Sequence, residues 1–447
     1  MTELKRKIGV RTATALVVGE VIAVGIFLTP AGMAKAVGSP FWLLLIWLFT
    51  GMMALCGALC YGELAARYPE AGGAYVYLRE AYGPAVAFMY GWMAFLVMDP
   101  GLTAALAIGL ATYAGFGLGL APSALKMVAI TTILLVALIN IRGVSIGAWF
   151  VRTLTILKLG SLGLILLWGF GLQLGDWSNF TPFFAQRNNS APLVAALASG
   201  MIGAFFSFGG WWDVSKLAGE VKDPARSLPR ALVTGVAIVT VVYISISAVF
   251  IYLVAPDAVT SGETFAAQAG EVLFGWAGGR VFSLVVVVAV LGSLAAVVMA
   301  APRVYFAMAR DGLFIPVAAS IHPRFETPAR AISFQAGVAS VLVLLGNFRE
   351  IVAYFIFVVV LFIALTVGGL FIIRRKRNFV EYRTPGYPLT PLLFLALIFP
   401  LLILLASDDP TRAFMGVGVV ALGFPAYLLL VRPKKLSIKA ERGTTSE

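Results

Sequence analysis

The chain has 447 residues, of which 60% are hydrophobic and only 12% charged, and its net charge is +12. Soluble domains average about 45–50% apolar and about 25% charged residues, so a water-soluble fold is excluded. Nucleic-acid binding is excluded as well, because the basic residues sit in short connections between apolar runs and form no stripe along a folded face.

A membrane-spanning helix needs about 20 apolar residues. Runs of that kind fall at residues 12–37, 41–66, 84–113, 123–140, 149–172 and 192–216. Six more follow at 230–254, 280–309, 331–347, 351–373, 388–406 and 412–431. They predict an all-α integral membrane protein of about 12 transmembrane helices in one domain, with tails at 1–9 and 432–447. Lys5 to Lys7 precede the first run as in a signal peptide, but the run is too long for a signal core and no small-residue cleavage site follows. Cys56 and Cys60 lie four apart on one predicted helix, a spacing that disfavours a disulfide, and are read as small packing residues.

Charge sets the expected orientation, since cytoplasmic connections collect Lys and Arg. With Lys5, Arg6, Lys7 and Arg11 inside, the even-numbered connections hold nearly all other basic residues, among them Lys222, Arg226, Arg230, Arg310, Arg330 and the run Arg374 to Arg377 with Lys376. The odd-numbered connections carry mainly Asp257, Glu263, Glu271, Asp408 and Asp409. Both termini are therefore expected in the cytoplasm.

Glycines interrupt two segments where a helix prefers none: Gly19 to Gly25 in the first, and Gly209 with Gly210 in the sixth. The two lie five segments apart. Transporters built from inverted repeats place discontinuous helices at matching positions of their halves, and the bared backbone ends bind the solute. On that basis repeat one covers about 10–172, repeat two about 192–374, and additional helices follow at about 388–431. Close helix packing is the alternative role for such glycines.

A set of motifs runs along the chain in order. Cys60-Tyr61-Gly62-Glu63-Leu64 precedes Tyr68-Pro69-Glu70-Ala71-Gly72-Gly73-Ala74-Tyr75-Val76-Tyr77. Ile139-Asn140 with Gly143-Val144 comes next, then Gly219-Glu220-Val221-Lys222-Asp223-Pro224 with Leu228-Pro229-Arg230. Last come Arg303, Tyr305, Ala309-Arg310-Asp311-Gly312 and Thr327-Pro328. In these the chain resembles the amino acid-polyamine-organocation superfamily of permeases, and looks most like its bacterial and L-type amino acid branches, from about residue 10 to about residue 390. The resemblance implies a leucine-transporter-type 5+5 inverted-repeat fold with two extra helices. It also implies a substrate site between helices 1, 3, 6, 8 and 10, working by alternating access.

The first break aligns at Ala23-Val24-Gly25-Ile26, where the resemblance implies backbone N–H groups at a helix N-terminus that receive a carboxylate. Two positions usually small or hydroxylated are here Ala23 and Val24, which removes a serine hydroxyl and makes the cavity more apolar. The second break is Phe206-Ser207-Phe208-Gly209-Gly210, whose carbonyls are expected to accept from an ammonium group, with Phe206 closing over the cargo. A cation near the bilayer centre costs about 2.5–3.5 kcal/mol on insertion scales, so Lys158 in the fifth segment is expected to have a role. The resemblance implies that it stands where sodium-dependent relatives hold an ion, bonded to helix 1 carbonyls and to a helix 8 hydroxyl such as Ser293. Glu20 and Asp99 are read as the other intramembrane charges: proton carriers, counter-charges to a cationic cargo, or partners of Lys158. Glu63, Arg67, Glu220, Lys222 and Arg310 are expected at the cytoplasmic ends, as gate latches or as solvated charges.

The single histidine, His322, falls in a connection, so a histidine-based triad or a metal site inside the membrane is not expected. No Gly-Lys-Ser/Thr phosphate loop occurs. The expectation is a secondary amino acid transporter of the cell membrane, sodium-independent, working by proton symport or exchange, without cofactor and not an enzyme. A permease for polyamines or other organic amines is the alternative, and a non-transporting nutrient sensor the alternative of another class. The residues identify no partner subunit.

Overall fold

The computed structural model describes residues 4–188, 190–255, 262–346, 348–376 and 381–443. Asp257 and Arg377 of the charge pattern lie outside these residues, and the side chain of Glu263 is not described. In chain order the helices are α1 (Val10–Val21), α2 (Gly25–Val37), α3 (Pro40–Arg67), α4 (Ala74–Tyr82), α5 (Pro84–Leu118), α6 (Pro122–Ile141), α7 (Val144–Gly171) and α8 (Leu193–Ser207). They continue as α9 (Pro224–Leu253), α10 (Gly262–Phe274), α11 (Gly278–Ala300), α12 (Pro302–Arg310), α13 (Ala329–Leu345), α14 (Phe348–Lys376), α15 (Leu389–Asp408) and α16 (Pro410–Gly443).

Among the described residues nine helices are long and apolar enough to cross a bilayer, and α1 with α2 forms a tenth span bent by 47°. The shorter apolar helices α8 and α13 occupy the sixth and ninth expected segments but fall short of the length that the other ten spans reach, against about twelve expected. The sixth was expected to run to residue 216; its helix stops at Ser207, because Gly209 and Gly210 end it, and a 3-10 helix over Asp213–Glu220 follows. Helices α4 and α10 are short and absent from the expected segments.

Local chemistry sets the ends of the rods. Six of the described helices open on a proline (Pro40, Pro84, Pro122, Pro224, Pro302 and Pro410), whose fixed φ suits the first turn and whose missing N–H would have no partner there. Inside α5 the pair Asp99-Pro100 disturbs the ladder and a π-turn forms over Ala94–Met98. The Tyr305 hydroxyl lies 3.3 Å from the loosened Ala94 carbonyl.

Packing pairs segments five apart. α2 lies on α8, α3 on α9, α5 on α11 and α6 on α13, while α1 is wedged among α7, α9 and α11. The outer faces of α6 and α7 remain apolar and exposed, as at Leu134, Leu135, Ile156 and Leu157, and form a surface for lipid tails.

Candidate functional site

Gly25 is required where the two broken spans meet. A Cβ there would lie 2.8 Å from Ser207 Cα, so no larger residue lets the start of α2 rest on the end of α8. Gly210 turns with φ +103°, and a Cβ would meet Glu20 Cγ at 2.8 Å. The glycines therefore serve both roles weighed for them, breaking the helices and allowing backbones to touch.

Among the described residues, three N–H groups at the first break, those of Val24, Gly25 and Ile26, have no backbone acceptor, while Phe27 and Leu28 donate back to the Val24 carbonyl. Tyr243 ties the breaks together: its hydroxyl lies 2.8 Å from the Val21 carbonyl and 2.7 Å from that of Ser207. The Ser207 carbonyl, expected to be open, thus already has a donor.

A buried cavity lies between the breaks. Its wall comes from the α1–α2 junction, the middle of α5 (Met98 to Leu106), the end of α8, Val297 of α11 and Val359 of α14. These are the first, third, sixth, eighth and tenth spans. Of the residues expected to bind substrate, Ala23, Val24, Gly25, Phe206, Ser207, Gly209 and Gly210 line it. Ile26 and Phe208 do not. Ile26 is wholly buried, and Phe208 packs its ring against Trp47 and Tyr243, so both fix the breaks from behind.

Lys158 is fully buried although its neighbours Ile156 and Leu157 face outward. Its ammonium donates to the Gly19 carbonyl at 2.8 Å, to the Ile22 carbonyl, and to Ser293 Oγ at 3.2 Å. Ser293 donates in turn to Gly19 at 2.7 Å. The fifth, first and eighth spans thus meet at the last turn of α1, and the cation is satisfied without reaching an interface.

Asp99 has a different partner from the one foreseen. Its carboxylate accepts from Lys216 at 2.9 Å and from Tyr305 at 3.1 Å, and Lys216 also donates to Asp213 at 3.0 Å. Lys216 and Asp213 are buried, so Glu20 and Asp99 are not the other intramembrane charges but two members of a larger cluster. Glu20 and Asp213 line the same cavity wall, each with a buried carboxyl oxygen that no donor reaches among the described residues. The signal was Asp213 and Lys216 at i,i+3 within an apolar segment, where charge is costly. Near the end of that segment they carry no mark in the sequence that separates them from interfacial charges, and the sequence reading passed over them.

Glu63, Arg67 and Glu220 are buried ion-pair partners rather than solvated charges; Lys222 and Arg310 are exposed. Glu63 accepts from Arg67 at 2.8 Å, from Arg374, and from the Thr384 N–H at 2.8 Å. Glu220 accepts from Arg303 at 2.7 Å. At the same end residues 5–8 form a strap: the Lys7 and Ile8 N–H groups donate to the Glu220 carbonyl at 2.8 and 2.9 Å, and the Lys222 N–H donates to that of Ile8 at 2.8 Å. Lys5 and Lys7 both reach Glu326.

Two spans broken against each other at a buried cavity, within a multi-pass helical bundle, define a membrane transporter rather than an enzyme. A family model described as "Amino acid permease" matches residues 8–424, and the chain belongs to that family. The serine/threonine exchanger SteT of Bacillus subtilis is 33% identical over 437 residues, covering 95% of this chain and 96% of that protein. The human large neutral amino acids transporter small subunit 2 is 28% identical over 95% of this chain and 80% of its own length. The mouse b(0,+)-type amino acid transporter 1 is 28% identical over 96% and 89%.

Proposed function

We propose that this permease carries amino acids across the cell membrane by alternating access without sodium, through proton symport or exchange. The observation that supports this most is the Lys158 ammonium on the Gly19 and Ile22 carbonyls. A fixed cation there bonds the backbone oxygens of a broken helix as a bound metal cation would, so no sodium ion is needed to hold α1. In this reading the free N–H groups of Val24, Gly25 and Ile26 receive the carboxylate, and Phe206 covers the cargo. The amino acid specificities in the relatives' names support a zwitterion as cargo. Segments 1–5 and 6–10 form the two repeats, a division supported by the pairing of the first four segments with those five positions on. The basic connections support a cytoplasmic position for both termini.

Radiolabelled uptake into proteoliposomes tests the reading. Uptake is expected to be equal in sodium and choline buffers and to fall at least tenfold in Lys158→Ala. A sodium requirement, or full uptake by Lys158→Ala, overturns it. The acids in the cavity wall favour one second reading, an organic amine as cargo. Competition by decarboxylated analogues but not by amino acids would select it.

A further inference from the structure

Glu20 is 5% exposed and lines the cavity, yet among the described residues no donor reaches its Oε1. Asp213 is 3% exposed, and its Oδ1 lies 3.0 Å from the Lys216 ammonium but out of hydrogen-bonding alignment. Two carboxyl groups sharing one buried wall can bond to each other only if one carries a proton, and a buried acceptor left without a donor is destabilising. Helix ends divide the two roles. Glu20 sits in the last turn of α1, where the helix dipole opposes negative charge, whereas Asp213 opens the 3-10 helix and holds a lysine.

The surrounding groups complete the account. Asp99 faces the pair from α5, Lys216 from the 3-10 helix and Lys158 from α7, with the hydroxyls of Tyr61, Tyr90 and Tyr305 nearby. With Glu20, Asp99 and Asp213 ionised against Lys158 and Lys216, the cluster would hold one uncompensated negative charge inside the membrane. One bound proton removes it. We propose that Glu20 and Asp213 hold one exchangeable proton between them at the edge of the cavity, Glu20 O–H donating to Asp213, with Lys216 and Asp99 fixing the pair. The consequence for coupling rests on the transport reading above: the proton site shares a wall with the cargo, so occupancy of one changes the free energy of the other.

Infrared difference spectroscopy on the purified full chain in lipid tests the proton itself. Wild type at neutral pH is expected to show a protonated-carboxyl C=O stretch that shifts in D2O and is lost in Glu20→Gln and in Asp213→Asn, since either amide gives the remaining carboxylate a donor. Absence of the band from wild type overturns the proposal without any variant having to fold, and a band that survives either substitution overturns it too. In wild-type proteoliposomes an inward acid gradient is expected to raise uptake several-fold. Uptake indifferent to the gradient sinks the coupling while leaving exchange intact, whereas absence of all uptake sinks the transport reading and leaves the infrared result standing.

Discussion

Gly210 shows how closely single residues are constrained here. Its φ of +103° belongs to a region that side chains rarely adopt, and the space beside it is taken by Glu20. Gly210→Ala is expected to cost about 1–3 kcal/mol of local strain and to push Glu20 off Asp213. Uptake should fall steeply while the protein still inserts and purifies as a monodisperse species, which size-exclusion chromatography with parallel flux assays checks. Lys158 was legible from sequence because one cation stands far inside an apolar run. Asp213 and Lys216 were not, because charges near a segment's end look the same whether they meet water or turn inward. Ile26 and Phe208 were assigned to the cavity from their place beside the breaks, and only the direction of each side chain separates a lining residue from one behind the wall.

Between helices, the clamp of Arg303 on Glu220 joins α12 to the segment that follows the second break. Both side chains are 1% exposed, so removing one partner strands the other in a medium that solvates it poorly. Glu220→Ala is expected to destabilise the protein by about 3–5 kcal/mol, and the double change Glu220→Leu with Arg303→Met to recover most of the loss. Thermal unfolding in detergent measures both, and equal losses for the single and double variants would refute the clamp. The breaks themselves were readable, since paired glycines in an apolar run bare the backbone. The Tyr243 bridge was not, because a tyrosine in the seventh span carries no mark in sequence that its hydroxyl reaches two backbone carbonyls at once.

For the whole molecule, composition was enough to place the chain in lipid, and run lengths came close to the number of spans. They missed the shortness of α8, where the end of a helix depends on two glycines rather than on hydropathy. At the end that carries the N-terminus, Lys5 and Lys7 hold the Glu326 carboxyl below its usual range. A carboxyl with a lowered folded value stabilises the fold above its unfolded value of about 4.3 and loses that contribution as pH falls through the folded value. The strap should therefore stay closed from neutral pH down to about 4.3 and loosen only below it. Hydrogen exchange at the Lys7 and Ile8 amides is the measure, corrected for the intrinsic effect of pH. Opening already between pH 7 and 5 would contradict it.

The strap has a practical side. Ile8 is bridged to Val221, past the second break, so under the alternating access proposed above anything fused ahead of Lys5 hangs from a part that swings during each transport cycle. A purification handle there adds drag to the machine, while a fluorophore there reports its stroke. Handles belong at the opposite end of the chain, and reporters at this one.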